Sequence, residues 1–323
     1  MPNNFRRLLL LSAMALPLWA HAQADYPTKP ITLVVPYPAG GANDAVARLV
    51  GQKLADALKQ QVLIDNRPGA GTTLAMAAVA KAPADGYTLV LGSLASQAVS
   101  PHLYAKPGYD PIADFAPIGM IGLAPIVMVV AKDSPYADLK AVVAAAKQQP
   151  GKLNYGSSGN GSPLHLAAEL FKQTAQIQVN HIPYKGGNAH TMDLIGGRLD
   201  MILDTTTSAM PLIKGDKVRP LAVASNSRLP DLPNVPTFAE TGYSGFEVNA
   251  WYALYAPAKT PREIVARLGS ELAKVMKLPE VAERFNALGV RTSSGSAQEL
   301  ARFQQDELDK YGKLIRAGNI QVD

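Results

Sequence analysis

Short runs of strand-type residues alternate along this chain with alanine-rich stretches of helical spacing. Residues 31–35, 62–64 and 87–91 are rich in Val, Ile, Leu and Thr, which predicts strands. Between them, residues 44–59 and 72–82 carry apolar side chains at the spacing of one helix face. A strand–helix–strand–helix–strand series folds into a parallel sheet with helices on both faces. The pattern therefore predicts an α/β protein.

The same architecture is repeated further along the chain. Strands are predicted at 126–130, 153–155, 179–182, 201–203 and 219–224, with helices at 139–149, 163–173 and 189–195. One more strand at 251–256 is followed by helices at 261–276, 279–288 and 297–317. These last helices have no sheet of their own, so their apolar stripes must pack on an existing core.

We expect the last helices to return to the first sheet. This predicts two doubly wound lobes: lobe 1 comprises residues 25–124 plus 250–323, and lobe 2 is the inserted segment 125–249. The two segments that cross between the lobes would act as a hinge.

The composition excludes several classes of protein. The 323 residues contain no cysteine, which excludes disulfides, zinc–thiolate sites, iron–sulfur clusters and a thiol nucleophile. Residues 1–22 have the form of a secretory signal peptide: Arg6 and Arg7, an apolar run and an A-x-A site at 20–22. Its cleavage removes two positive charges and lowers the net charge from +5 to +3. The remaining positive charge is too sparsely distributed along the chain for a nucleic-acid-binding surface. We expect a soluble product in the periplasm that binds no nucleic acid.

An unusual loop follows the first predicted strand. It contains Tyr37, Pro38, Ala39, Gly40, Gly41 and Asp44. Paired glycines allow a ligand to approach the backbone closely, and the next helix exposes unpaired amides to which an anion can bind. The alternative is a plain turn in which Asn43 or Asp44 caps the helix.

A matching loop in the second series contains Ser157, Ser158, Gly159, Gly161 and Ser162, followed by His165. Ser162 before Pro163 is typical of a helix N-cap. The loop lacks the lysine of a P-loop, and Asn160 interrupts a G-x-S-x-G nucleophile motif. A dense cluster of donors favours ligand binding, and a flexible polar loop is the alternative.

Ligands of doubly wound sheets bind at the carboxyl ends of the strands, which is where both loops lie. Neither loop contains Arg or Lys. We therefore hypothesise that amides, helix dipoles and bridging waters bind a carboxylate there without a salt bridge.

Other candidates carry weaker signals. Ser93 and Asp204 each end a predicted strand and could reach the cleft, but a structural role fits them equally well. For His165 a structural role is favoured, and the histidine spacing predicts no metal site. Arg67 is expected to pair with a neighbouring carboxylate rather than with a ligand.

Motifs along nearly the whole chain resemble the Bug receptors, the extracytoplasmic solute-binding proteins of the tripartite tricarboxylate transporter family. The segments that carry the resemblance are 26–36, Pro38-Ala-Gly-Gly41 with Asp44, 65–71, 83–89, 150–159, Gly161-Ser162, His181-Ile-Pro-Tyr-Lys-Gly186, Gly196-Gly197 with Asp200, 221–223 and 232–237. Leu203-Asp204 departs from the more usual Phe-Asp of the family.

The resemblance implies a type II periplasmic binding fold that closes over a small organic acid. It also implies delivery of the acid to integral membrane transporter subunits, with no cofactor, metal or catalytic residue, and we expect a monomer. In such receptors the first loop, here 37–44, and the serine-glycine loop, here 157–162, grip the carboxylate. The resemblance does not identify the acid.

Two other functions remain open from the sequence. A periplasmic sensor would use the same cleft but present the acid to a two-component sensor kinase. An exported serine hydrolase would need Ser157 or Ser158 as nucleophile with His165 as base, and no orienting acid is evident.

Overall fold

The computed structural model describes residues 26–184, 189–318 and 320. The predicted signal peptide, residues 1–22, lies outside the described residues. None of the helices in the described part of the chain combines the length and the apolarity that crossing a membrane requires.

The strands among the described residues are β1 (Ile31–Val35), β2 (Val62–Asn66), β3 (Thr88–Ser93), β4 (Phe115–Ala131), β5 (Asn154–Ser157), β6 (Asn180–Pro183), β7 (Met201–Thr205), β8 (Val218–Val223), β9 (Asn249–Pro257) and β10 (Arg291–Thr292). The α-helices there are α1 (Ala42–Leu58), α2 (Thr73–Ala80), α3 (Ser100–Leu103), α4 (Leu139–Gln148), α5 (Pro163–Ala175), α6 (Ala189–Ile195), α7 (Thr206–Lys214), α8 (Arg262–Val275), α9 (Pro279–Ala287) and α10 (Ala297–Ala317). A 3₁₀ turn (Ala70–Thr72) precedes α2, and a π-helical turn (Ala95–Val99) follows β3.

The strands form one sheet in the order β2-β1-β3-β9-β4-β7-β5-β6, with β8 and β10 also paired to β4. Strands β1, β2 and β3 are mutually parallel, as predicted, and so are β5, β6 and β7. Strands β4 and β9 run antiparallel to their neighbours. The predicted α/β class is confirmed, but the sheet is mixed rather than purely parallel.

Strand β4 is much longer than the 126–130 strand that the sequence predicts. Its residues 115–125 pair with β9, and Leu123 and Gly122 also pair with β10. From Ile126 onward the partners of β4 are β7 and β8. We call the strands on the β9 side, with β10, the first half-sheet, and β5 to β8 with the end of β4 the second half-sheet. The sheet passes from one to the other at Pro125 and Asn249.

Each half-sheet is covered by helices on both faces, because successive side chains of a strand point to opposite sides. In β1, Leu33 packs with residues of α1, α8 and α9, whereas Val34 packs with residues of α2 and α10. In β4, Met128 faces α4 and α5, whereas Val127 faces α6 and α7. The C-terminal helices α8, α9 and α10 thus cover the first half-sheet. The lobe boundaries at 124/125 and 249/250 stay a prediction.

Candidate functional site

The first predicted loop connects β1 to α1. Gly41 is the N-cap of α1, and no side chain caps this helix end. Pro38, Ala39, Gly40 and Gly41 are exposed. The first amides of a helix have no partner within the helix, so a helix end capped by glycine presents donors to whatever lies in front of it.

Asp44 holds this loop in place. One of its carboxylate oxygens accepts hydrogen bonds from the Gly40 amide and from Arg48 Nε, both at 2.9 Å, and the other accepts one from Asn66 Nδ2 at 3.0 Å. Burial alone would raise the pKa of Asp44, but the bonds from Arg48, Gly40 and Asn66 hold that pKa below its ordinary value. Asp44 is therefore an ionised brace of the loop, and the Gly40 amide is already engaged.

Tyr37 and Ser93 connect the loop to the end of β3. Their hydroxyl oxygens lie 2.6 Å apart, and the Ser93 amide donates a hydrogen bond to Ser96 Oγ at 3.0 Å. Burial raises the pKa of Tyr37 well above its ordinary value, so the phenol stays neutral. Ser93 is 5% exposed, and its hydroxyl is hydrogen-bonded to the Tyr37 hydroxyl of the first loop.

The second predicted loop connects β5 to α5. Ser162 is the N-cap of α5: its hydroxyl accepts a hydrogen bond from the His165 amide, and Pro163 occupies the first turn. The predicted cap is confirmed. Gly159 has a φ of +125°, and a side chain there would lie 3.0 Å from the Tyr184 carbonyl oxygen, so glycine is required.

Ser157, at the end of β5, is fully buried, and its hydroxyl lies 2.7 Å from His181 Nε2. The nearby His165 instead accepts a hydrogen bond from the Gly161 amide at its Nδ1, at 2.9 Å. The serine therefore lies beside a different histidine from the one the hydrolase hypothesis assigned. A buried hydroxyl that also accepts the Gly159 amide is a structural group rather than an exposed nucleophile.

Asp204 is buried at the end of β7, with 1% of its surface exposed. One carboxylate oxygen accepts the Thr205 amide at 2.7 Å, and the other lies 3.3 Å from His190 Nε2. Thr205 caps α7. The carboxylate thus braces the start of α7.

The predicted site residues divide by exposure. Pro38, Ala39, Gly40 and Gly41 are exposed; Tyr37, Ser158, Gly159 and Ser162 are half-buried; Asp44, Ser93, Ser157, Gly161, His165 and Asp204 are buried. The first and second loops lie at the carboxyl ends of β1 and β5. Among the described residues no hydrogen bond joins the two loops directly. Behind the second loop, Leu166 of α5 packs in one buried cluster with Trp251 and Leu300 of the first half-sheet and its helices.

The sequence reasoning missed the supporting residues Arg48, Asn66, His181 and His190. Of these, Asn66 and His181 lie in segments that carry the family resemblance, which was the available signal. The expectation for Arg67 is confirmed, since its guanidinium lies 2.7 Å from the Asp65 carboxylate. Within the described residues no group of three or more His, Asp or Glu side chains is arranged to hold a metal ion.

A separate cavity of about 610 Å³ lies away from these loops, between the start of β4, α8 and the segment before α10. Small residues such as Gly119, Gly269 and Gly295 line it. It contains none of the predicted site residues.

Loops at the carboxyl ends of parallel strands in two half-sheets, one of them with uncapped helix amides, are typical of a solute-binding protein of the α/β class. The chain belongs to the tripartite tricarboxylate transporter family of receptors (TctC), whose model matches residues 46–320. It is a binding receptor, not an enzyme.

Relatives of known sequence support this assignment. A Pseudomonas protein named for the tcbD-tcbE intergenic region is 40% identical over 291 residues, covering 90% of this chain and 86% of the relative. BugT of Bordetella pertussis is 34% identical over 299 residues, covering 92% of each chain. The resemblance to Bug receptors is confirmed.

Solved structures agree with this fold. Rpa4515 of R. palustris, solved with adipate, is 35% identical with a TM-score of 0.86, over 92% of this chain and 99% of that one. The periplasmic binding protein BugD is 32% identical with a TM-score of 0.82, over 92% and 99%. MatC of Rhodopseudomonas palustris, with bound malate, is 31% identical with a TM-score of 0.81, over 90% and 100%. The predicted periplasmic-binding fold is confirmed.

Proposed function

We propose that this receptor captures one small organic carboxylate between the first loop, 37–44, and the serine-glycine loop, 157–162, and delivers it to the membrane subunits of a tripartite tricarboxylate-type transporter. The observation that carries the proposal is the start of α1. Its N-cap is a glycine without a side-chain cap, in an exposed loop that Asp44 braces from behind. Such a helix end binds a carboxylate through amides and the helix dipole.

The second loop would complete the grip. Its exposed and half-buried members include Ser158 and Asn160, which offer a hydroxyl, a carboxamide and backbone amides. That adipate and malate are bound by the related Rpa4515 and MatC supports a carboxylate here. The identity of the acid does not follow from those two ligands, because they differ in length and in hydroxylation.

Closure over the ligand would use the two segments that pass between the half-sheets. The change of strand partners at Pro125 and Asn249 supports a hinge there, with residues 25–124 plus 250–323 as one lobe and 125–249 as the other. A ligand that contacts both loops binds the closed form better and shifts the population toward it. We further propose that residues 1–22 direct the chain to the periplasm and are then removed.

A thermal-shift screen tests this function. The chain from Gln23 onward, refolded to remove any acid retained from expression, is heated with mono-, di- and tricarboxylic and aromatic acids. Sugars and amino acids serve as controls. A ligand at a hundred times its Kd adds about 2.7 kcal/mol, which raises the Tm by about 5 °C or more. We expect such a shift with one class of acid. No shift with any acid in the panel would contradict the proposal.

A further inference from the structure

Three rings stack directly beneath the serine-glycine loop. The His165 and His181 rings lie 4.0 Å apart between centroids and 7° from parallel, and Tyr155 stacks on the other face of His181 at 4.8 Å and 17°. The rings come from β5, β6 and α5. The parallel register that places Tyr155 beside His181 aligns two of them, and the first turn of α5 brings His165 onto His181.

Each imidazole makes one hydrogen bond to the loop above it. His165 Nδ1 accepts the Gly161 amide at 2.9 Å, and His181 Nε2 lies 2.7 Å from Ser157 Oγ. The same Ser157 oxygen accepts the Gly159 amide at 3.1 Å. Two alternate amides of the loop, Gly159 and Gly161, are therefore turned inward toward the stack.

The backbone amides of Ser158 and Asn160 are left for another partner. The backbone amides of Ser158 and Asn160 donate to no backbone carbonyl oxygen of the residues that the structure describes. The Ser162 amide, by contrast, donates to the Gly159 carbonyl oxygen at 3.1 Å, so the amides of Ser158 and Asn160 are the ones that remain for a ligand. Ser158 is half-buried and Asn160 is exposed.

The bond from Gly161 fixes the protonation of His165. Since Nδ1 accepts an N–H, the ring proton must be on Nε2. That nitrogen lies 3.8 Å from Glu169 Oε1, which is too far for a hydrogen bond. The same oxygen accepts hydrogen bonds from the Tyr155 hydroxyl at 2.6 Å and from Lys172 at 2.7 Å. A second proton on His165 would place two N–H groups against each other at Gly161.

The surroundings of the stack keep both rings neutral. Burial lowers the pKa of His181 to about 4, assisted by the adjacent His165 ring and opposed by Glu169. Burial also lowers the pKa of His165, against the attraction of Glu169 and with the repulsion of Lys172. Two parallel rings at this separation cannot both carry charge without strong repulsion.

We propose that His165 and His181 are positioning residues of the receptor: a stacked neutral pair that turns the Gly159 and Gly161 amides inward and so presents the Ser158 and Asn160 amides to the ligand. The part of this proposal that concerns the ligand rests on the proposed function. The arrangement of the loop does not, and it is tested without any ligand.

The first test separates the acceptor of His165 from its ring. His165→Asn keeps an oxygen close to the place of Nδ1, whereas His165→Phe keeps a stacking ring and removes the acceptor. In the wild type, nitrogen NMR should find the His165 tautomer protonated at Nε2. Amide hydrogen exchange at Gly161 should be about tenfold faster in His165→Phe, because one hydrogen bond of that amide is lost. In His165→Asn the exchange rate should stay near the wild-type rate. An Nδ1-protonated ring, or equal exchange in all three proteins, would overturn the proposal.

The second test treats His181 in the same way. His181→Gln keeps a group able to bond Ser157, and His181→Phe keeps only the stack. Binding of adipate and of malate is measured at pH 7 by calorimetry. We expect His165→Phe and His181→Phe to weaken binding about tenfold or more and the Asn and Gln variants to retain most of it. Wild-type affinity in both Phe variants would show that the stack does not position the loop for binding.

Acid titration gives a signature that a purely packing role lacks. Because the folded-state pKa of His181 lies below the ordinary value of about 6.5, the unfolded chain binds more protons, and stability falls as pH drops from about 6.5 to about 4. His181→Phe removes this contribution, so its Tm should fall less than the wild-type Tm over that interval. An identical acid dependence in the two proteins would contradict a neutral stack. If wild type binds no acid while the NMR, exchange and titration results hold, the proposed function fails and the loop assignment stands.

Discussion

Gly289 and Thr206 meet backbone to backbone where the two half-sheets adjoin. The Thr206 hydroxyl donates a hydrogen bond to the Gly289 carbonyl oxygen, and a side chain at position 289 would lie 2.7 Å from the Thr206 carbonyl carbon. Thr206 begins α7, directly after the β7 residue that pairs with Ile126. Gly289 lies just before β10, which pairs with β4 at Leu123. The contact thus joins the two half-sheets close to the proposed hinge.

Gly289→Ala should disturb this contact and destabilise the fold. A matched control exists in Gly197→Ala, because both glycines end a helix with positive φ, +68° and +72°, but nothing lies within 4 Å of a side chain at 197. The free energy of unfolding of Gly197→Ala should fall by about 1 kcal/mol, because alanine is strained in a left-handed backbone conformation. Gly289→Ala should lose a further 1–3 kcal/mol or so from overpacking, measured by urea denaturation. Equal losses of unfolding free energy in the two variants would show that the Gly289–Thr206 contact accommodates the methyl group without further loss of stability.

Gly41→Ser should stabilise the protein and weaken binding. A serine N-cap would accept a helix amide that glycine leaves open, which adds a few tenths of a kcal/mol to stability. The same amide would then be lost to a bound carboxylate, and affinity should fall about tenfold or more. Gly41→Ala is the control: the extended backbone at 41 and the open space around it admit a methyl group without an acceptor. Calorimetric titration with the acid found in the screen compares the three proteins, and undiminished affinity in Gly41→Ser would place the carboxylate elsewhere.

Sequence reasoning predicted the parts of this fold that local patterns determine. The strand Ile31–Val35, the Ser162 cap and the positions of the two loops follow from residues adjacent in the chain. The first part of β4 was missed because Pro117, Gly119 and Gly122 are typical of loops. In the structure these residues lie at or beside two irregularities in the pairing with β9, where Pro and Gly are tolerated in strands.

The supporting contacts of the site depend on distant register rather than on local pattern. Ser157 and His181 are 24 residues apart and meet only because β5 and β6 are parallel neighbours with Tyr155 opposite His181. Because a helix separates these strands in the sequence, their register cannot be predicted from the local pattern of residues. Asn66 likewise reaches Asp44 from the end of β2. The glycines, the Ser162 cap and Asp44 were therefore predictable, whereas the contacts that Asn66 and His181 make were not.

Glu307→Gln should raise stability at neutral pH. Glu307 lies buried in α10 and accepts a hydrogen bond from Trp251 Nε1 at 3.2 Å. Burial raises the pKa of Glu307, with Glu247 acting in the same direction and Lys310 against it. With the folded-state pKa above the unfolded one, the folded state binds the proton better, so the charged form costs stability above that pKa and the cost disappears in acid. We expect a higher Tm than wild type at pH 7–8 and a difference that shrinks toward pH 4.

Asp309→Asn on the same helix is the control for Glu307→Gln, because it removes an equal charge from an exposed position. Its Tm should stay close to the wild-type value at each pH, as is usual for exposed charges. A drop in the Tm of Glu307→Gln at neutral pH would show that the contact with Lys310 outweighs the burial of the carboxylate.

The affinity for the acid should depend only weakly on ionic strength. Neither loop carries a Lys or Arg, and the Arg48 guanidinium is bound to the Asp44 carboxylate. Helix amides act over short distances that salt screens little, whereas exposed ion pairs weaken over a Debye length of about 10 Å at 0.1 M salt. Titrations at low and at moderate salt should thus give similar Kd values. Ser158→Arg supplies the contrast, because a guanidinium in the second loop would make binding tighter at low salt and steeply salt-dependent. A steep dependence already present in the wild type would mean that an ion pair holds the carboxylate.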